Sequence, residues 1–373
     1  MGLEGELRVG LRIREARIER IGITSTRPDV ARSLLQGRTR TEVVAAVPQL
    51  FSICAHSQAT ASALACAAAA GEPAEADRLA SDAASVCAEM VREYAWRTLL
   101  DAPHDIGESP GDDAITAARA SLAFHSTTDV GPRTSDVADT IALAAFGASA
   151  DEWLSLRTLP EFDRWADSGR TAAARFLRKV RDDDAAASRR GPGGPADDPA
   201  LLEGQRHAAW IGEIAAACDG DPEFARLPSW RGAPAETGAL ARLQADPLIS
   251  ELIGRSATRV PARFVARLRE LALLLAGRAM PVVGARTLTA GGGIAWVENA
   301  RGLLIHRVRL DGSHVRNYVI VAPTEWNFHP GGALASALLG TAATDLDAVQ
   351  RRATQLVHSL DPCVACHVEF DHA

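Results

Sequence analysis

Between residues 41 and 100 the chain holds two long alanine-rich stretches, 41–70 and 74–100, separated only by "GEP". Alanine is the strongest helix former and presents almost no side chain. Such text predicts two long helices that must lie very close to whatever they pack on, which is the tightest constraint the sequence places on its fold. Helical patterns also occur at about 112–126, 134–148, 161–181, 200–218, 235–277 and 344–359. A short helix is expected at 28–38, stopped near Gly37. Two regions read differently. Val9, Leu11 and Ile13 share one face, followed by Ile21 and Ile23, so 7–24 is expected to be a β-hairpin. At 294–323 the runs "IAWVE", "GLLIHRVRL" and "VRNYVIVAP", with "DGSH" as a turn, predict further antiparallel strands. The expected class is therefore mainly α (α+β), a long-helix bundle with peripheral β-hairpins. Residues 1–373 are expected to form a single domain, with 182–199 a mobile loop or linker within it, because "DDDAAASRRGPGGPADDPA" cannot bury apolar area.

Charge and hydropathy exclude several functions. The formal net charge is -7 and no block of basic residues is present, so nucleic acid is not an expected partner. The opening "MGLEGELRVGLRIREARIER" has no apolar core of the kind a secretory signal needs. No run is apolar enough over sufficient length for membrane insertion. The expected location is cytoplasmic, and the six cysteines are expected to be thiols rather than a disulfide framework.

Chemistry concentrates in "DPCVACHVEF", residues 361–370. Its C-x-x-C-H fits a haem attachment site, half a zinc site, a redox dithiol or a pair of cluster ligands. One pair of cysteines seldom completes a metal site, so further ligands must come from elsewhere. Cys66, Cys87 and Cys218 lie in alanine-rich helical text and read as small buried thiols. Cys54 differs, because it stands where a turn enters a long helix, with His56, Ser57 and Gln58 beside it.

These segments resemble the large subunits of nickel–iron hydrogenases. That family binds its metals through two C-x-x-C pairs, one as R-x-C-G-I-C-x-x-x-H and one as D-P-C-x-x-C-x-x-H. "DPCVAC" matches the second at Asp361, Pro362, Cys363 and Cys366. "FSIC" matches the first with Phe51 in place of the first cysteine and Cys54 as the second. "ENARGLLIH" (298–306) resembles E-x-P-R-G-x-L-x-H with Ala300 for proline, and "VAPTEWN" (321–327) resembles V-x-P-[ST]-x-W-N. "LLQGR" (34–38) fits the text before the first pair. Five segments in order across the chain imply the large-subunit-like fold, and the haem and zinc readings fall away.

The departures imply a role. By the resemblance, Cys54 and Cys366 hold the two iron-binding positions and Cys363 a terminal nickel position. The other nickel position is Phe51, which cannot coordinate. Arg301 and the Thr324 hydroxyl hold the positions that donate to iron-bound cyanide, and Asp361 accompanies them in the cofactor pocket. The family's histidine four residues after the second cysteine is Gln58 here. Its proton-transfer acid falls near Arg32, and its terminal histidine is replaced by Glu369, with His367 at the wrong offset. Catalytic precursors carry a C-terminal extension, and here little follows Cys366 that could be cleaved. The pattern resembles HupK/HoxV-type hydrogenase accessory proteins. It implies a scaffold, not an enzyme, that transiently holds an Fe(CN)2(CO) unit without nickel. Its partners would be hydrogenase maturation proteins and the hydrogenase large-subunit precursor. The alternative is a metal-free adaptor that binds assembly partners through a degenerate large-subunit fold; a catalytic subunit is disfavoured by Phe51. Either way, the C-terminal thiols are expected to approach Cys54 across more than 300 residues of sequence.

Overall fold

The computed structural model describes residues 5–26, 34–51, 53–125, 132–188, 198–202 and 207–371. Its contacts divide the chain into two compact units, one of Met1–Ala83, Pro195–Arg242 and Pro281–Ala373, the other of Ala84–Gly194 and Leu243–Met280.

The first unit opens with the expected hairpin, β1 (Glu6–Arg14) and β2 (Arg17–Ser25). Its two-residue turn puts Glu15 and Ala16 at φ 50° and 56°, the left-handed pair that matches the twist of a tight hairpin. Helix α1 (Arg40–Ala46) starts at a capping box, where the Thr39 hydroxyl and the Glu42 carboxylate satisfy each other's backbone N–H groups. Then comes α2 (Ala55–Ala69), which begins directly after Cys54.

The second unit holds α3 (Ala76–Trp96), which starts in the first, then α4 (Ala102–Asp105), α5 (Asp112–Ala120), α6 (Pro132–Phe146), α7 (Ala150–Leu154), α8 (Leu159–Ser168) and α9 (Ala172–Ser188). After the chain has returned to the first unit for β3 (Ala200–Leu201), α10 (His207–Gly220), β4 (Ala235–Glu236) and α11 (Ala239–Leu243), the second unit is completed by α12 (Pro247–Arg255) and α13 (Val260–Leu275). Its core stacks Phe146 on Trp153, with Trp165 edge-on to Trp153. On α13 the buried Arg269 guanidinium pairs with Asp246 at 2.9 Å and donates to the carbonyls of Leu154 and Leu156. The structure corrects one expectation. Residues 182–188, read as the start of a mobile loop or linker, are the last turns of α9, because "DDDAAAS" still supplies alanines to a helix already running. Residues 189–197 lie outside the described residues, as do 27–33, which take in the first part of the short helix expected at 28–38.

The first unit's main sheet is β5 (Val283–Thr289), β6 (Gly292–Asn299), β7 (Gly302–Asp311) and β8 (His314–Val321), antiparallel in that order. Both faces are covered. Ile294, Trp296, Leu303, Ile305 and Val321 pack with Trp210, Ile211 and Ile214 of α10. On the other face Ala295, Val308 and Tyr318 pack with Leu64, Ala65, Cys66 and Ala69 of α2. Alanine and glycine make this second contact possible. A Cβ at Gly293 would lie 2.3 Å from the Ala69 nitrogen and 2.4 Å from the Ala65 oxygen. Beyond β8 come α14 (Pro323–Asn327), α15 (Ala333–Leu338) and α16 (Leu346–Leu360). The last element, β9 (Ala365–Asp371), runs parallel to β1 in the order β2-β1-β9, with Cys366 opposite Leu7. This strand was not expected from the sequence, where its short alternation is masked by the cysteine motif.

Gly293→Ala is expected to destabilise the protein by about 3 kcal/mol, because helix backbone stands where the methyl must go. Gly22→Ala, with open space around it, is expected to change stability by less than about 1 kcal/mol. Urea unfolding of both variants measures the difference.

Candidate functional site

Cys54 is the residue from which α2 springs. Its backbone (φ -120°, ψ 39°) is outside the helix and its side chain caps nothing. The tight seat of α2 on Gly293 therefore fixes where this sulfur begins. Phe51 is half-buried and packs against the apolar cluster beneath α2. One turn after Cys54, Gln58 is buried and its Nε2 donates to Cys54 Sγ at 3.8 Å. The other end of that amide, Oε1, lies 2.9 Å from His306 Nε2. His306 Nδ1 lies 2.7 Å from the Tyr318 hydroxyl. Burial pushes the His306 pKa down to about 3, so the ring is neutral. This chain of side chains was not read from the sequence. Gln58 was noted only as a missing histidine, and His306 only as part of a matching segment.

Arg301 sits in the turn that joins β6 to β7, and Glu298, Asn299 and Gly302 each help to set that turn. The Glu298 carboxylate, almost fully buried, is ion-paired with Arg242, whose Nη2 also donates to the Asn299 carbonyl at 3.1 Å. Asn299 Oδ1 accepts from the backbone N–H groups of Arg301 and Gly302, at 3.0 and 3.2 Å. Gly302 has φ 133°, and a Cβ there would lie 2.2 Å from Thr237 Oγ1. From α14, Asn327 closes the arrangement. Its Oδ1 accepts from the Thr237 N–H at 2.9 Å and its Nδ2 donates to the Arg301 carbonyl at 3.0 Å. The backbone of Arg301 is thus held on both sides, and its side chain is buried. Asn299 and Asn327 were missed in the sequence; an asparagine just before a tight turn was the available signal for the first.

Thr324 lies in the first turn of α14, buried, with its hydroxyl 3.1 Å from Cys363 Sγ. Asp361 is buried and takes a left-handed conformation (φ 53°, ψ 68°) at the end of α16, with Pro362 next, which stops the helix and turns the chain toward Cys363. Cys366, on β9, is half-buried, and burial pushes its thiol up to about 11. His367, the next residue along the strand, is largely exposed and lies 3.6 Å from the Glu6 carboxylate. Alternation along β9 thus separates the histidine of C-x-x-C-H from its second cysteine.

The structure brings Cys363 to Thr324, and Cys54 to Gln58 and through it to His306. Among the described residues, no group of three or more His, Cys, Asp or Glu side chains is arranged to hold a metal ion. The six cysteines fall into two kinds. Cys66, Cys87 and Cys218 are buried, with Cys66 and Cys218 pushed up to about 12 by desolvation. Cys54, Cys363 and Cys366 are the three left partly open. Arg32, the position aligned with the family's proton-transfer acid, lies outside the described residues.

Residues 279–369 match the profile described as nickel-dependent hydrogenase, a span that takes in the turn at Arg301, α14 and both C-terminal cysteines. The hydrogenase expression/formation protein HoxV of Cupriavidus necator is 31% identical over 94% of this chain and 92% of its own length. The hydrogenase expression/formation protein HupK of Azotobacter vinelandii is 30% identical over 100% of both chains. In structure, the chain resembles the Ni-Fe-Se hydrogenase from D. vulgaris Hildenborough in its as-isolated oxidized state, with TM-score 0.58, 15% identity and 94% of each chain covered. The fold is that of a nickel–iron hydrogenase large subunit, as the motifs implied.

Two outcomes follow from the geometry. Asn327→Ala strips partners from two buried backbone groups and is expected to cost about 2–4 kcal/mol in urea unfolding. The His306 ring takes a proton near pH 6.5 in the unfolded chain but only near pH 3 when folded. Its contribution is complete above pH 6.5 and is lost as pH falls from there toward 3. Between pH 7 and 5 wild type should therefore lose ~2 kcal/mol that a His306→Gln variant does not, read from unfolding curves at both pH values.

Proposed function

The chain belongs to the family of hydrogenase expression/formation proteins that includes HoxV and HupK, and from that premise we propose that it is a maturation scaffold whose cargo is an Fe(CN)2(CO) unit. It holds the unit transiently and passes it to the precursor of a nickel–iron hydrogenase large subunit. It works in the cytoplasm with other maturation proteins, and it is not an enzyme. No helix among the described residues is long and apolar enough to cross a membrane.

The observation that carries this reading is the division of the cysteines. Three are buried as packing, and the three left partly open are those at the family's metal-binding positions. The fourth position is Phe51, an apolar side chain seated against the core. Cys54 and Cys366 would supply soft anionic sulfur to low-spin iron, and Cys363 a third or exchanging thiol. The buried Arg301 guanidinium would donate to a cyanide nitrogen, which needs a donor in a dry pocket. Thr324, already on Cys363 Sγ, would donate to the other. Asp361 sets the turn that presents the C-terminal thiols. With its thiol pushed up to about 11, Cys366 is protonated at neutral pH, so cargo binding there must displace a proton. That competition favours holding that can be reversed.

The test is infrared spectroscopy on protein purified without oxygen. Wild type is expected to show cyanide and carbonyl bands and no stoichiometric nickel. Cys54→Ala and Cys366→Ala are expected to abolish the bands, Cys363→Ala to weaken them, and Arg301→Lys to weaken them despite its kept charge, because an ammonium lacks the planar donor fork. Cys66→Ala, Cys87→Ala and Cys218→Ala should retain them. If Cys54→Ala and Cys366→Ala restore hydrogenase activity to a host lacking its own copy as well as these controls do, the metal-free adaptor is the function. One nickel per chain with hydrogen oxidation would overturn both readings.

A further inference from the structure

We infer that Gln58 is a positioning residue for the Cys54 sulfur, its amide coupled through His306 to Tyr318 so that an N–H faces that sulfur whenever cargo is held. The inference rests on the reading of Cys54 as a cargo ligand and adds what governs that ligand's strength.

Gln58 lies between Cys54 Sγ at 3.8 Å and His306 Nε2 at 2.9 Å, and His306 continues to the Tyr318 hydroxyl at 2.7 Å. Gln58, His306 and Tyr318 are 2%, 0% and 2% exposed, so bulk water is not available to replace any of these partners. A glutamine amide has one end that only accepts and one that only donates, and a neutral imidazole has one nitrogen of each kind. The chain therefore has two self-consistent states. In one, Tyr318 donates to Nδ1, Nε2–H donates to Gln58 Oε1, and the amide nitrogen donates to sulfur. In the other every bond is reversed, and Cys54 must donate an S–H. Sulfur bonded to a metal carries no hydrogen, so only the first state is compatible with a held cargo. It is also the state in which the structure places the amide.

The consequence is chemical. A hydrogen bond to a thiolate draws charge from the sulfur and weakens what it gives to a metal, which suits a ligand that must later let go. The donor is an amide, which neither takes nor releases a proton at any physiological pH. The contact therefore restrains the sulfur without offering a path for protons.

The experiment has two arms. In the full chain labelled with 15N-histidine, NMR is expected to place the His306 proton on Nε2, and Tyr318→Phe, which removes the hydroxyl that donates to Nδ1, to mix the two tautomers. In the second arm, infrared spectra compare cargo-loaded wild type with Gln58→Leu. Loss of the donor makes the sulfur more electron-rich, so the carbonyl band should move to lower wavenumber and cargo loss should slow several-fold. Ser57→Ala, a buried neighbour on the same helix, should move neither. A proton on Nδ1 in wild type overturns the inference. So do wild-type bands that Gln58→Leu leaves in place, which would make Gln58 merely structural. Absence of any cyanide or carbonyl band from wild type instead sinks the scaffold reading, and the NMR arm still decides the direction of the chain.

Discussion

The Cys54 half of the site depends on how closely α2 lies on its sheet. Helix backbone meets strand backbone at Gly293, with no side chain between them. Larger residues on either side would hold the helix several ångströms off, and Gln58 would no longer reach His306 on β7. The same contact fixes where the helix starts and hence where Cys54 stands. An alanine-rich helix has little apolar side chain to bury, so its hold comes from closeness and from a few larger residues such as Leu64. The Thr287 hydroxyl adds a bond to the Ala68 carbonyl at 2.7 Å, near the helix C-terminus where carbonyls lack partners within the helix.

The second constraint is the cost of burying polar groups. The turn at 298–302 carries a carboxylate and a guanidinium out of water, and each must be compensated. Arg242 answers Glu298, and the two asparagines bind the buried backbone of the turn. Glycine at 302 is required twice over, by its φ of 133° and by the approach of Thr237. Ala300 stands where the resembled family has proline, and the turn keeps its shape through Asn299 instead. Rigidity at this point matters because a guanidinium donates well only to an acceptor in its plane.

Much of this was legible in the sequence, and the limits were physical. Both strand regions and the longer helices were readable, because their patterns are local; the short α4, α7, α14 and α15 were missed, and 41–70, read as one helix, is broken before Cys54 into α1 and α2. Strand β5 and the pairing of β9 with β1 were not readable. The second joins segments at opposite ends of the chain, and parallel pairing leaves no turn signature between its strands. Helix α9 runs on through Asp182–Asp184 because its end is fixed by contacts as well as composition: the Asp184 carboxylate accepts from the backbone N–H groups of Ala257 and Thr258. At the site, sulfur, guanidinium and hydroxyl positions could be named from motifs. Their supporting amides could not, since a glutamine or asparagine acquires meaning only from what stands at each end of it.

Phe51 shows how a lost ligand can be absorbed by a fold. By the resemblance it replaces a thiolate at a metal-binding position. A merely vacated position would leave a gap beside α2, and gaps are costly in a packed interior. Phenylalanine instead joins the cluster of Leu64, Val47 and Val43 that seats the helix. The substitution therefore does two things at once. It removes one sulfur from the set a fourth ligand would complete, and it adds apolar contact beneath the helix that presents Cys54. Reversing it would not simply restore a ligand. A cysteine there would give up much of that ring's packing, loosening the seat on which the position of the Cys54 sulfur, and with it the reach of Gln58, depends.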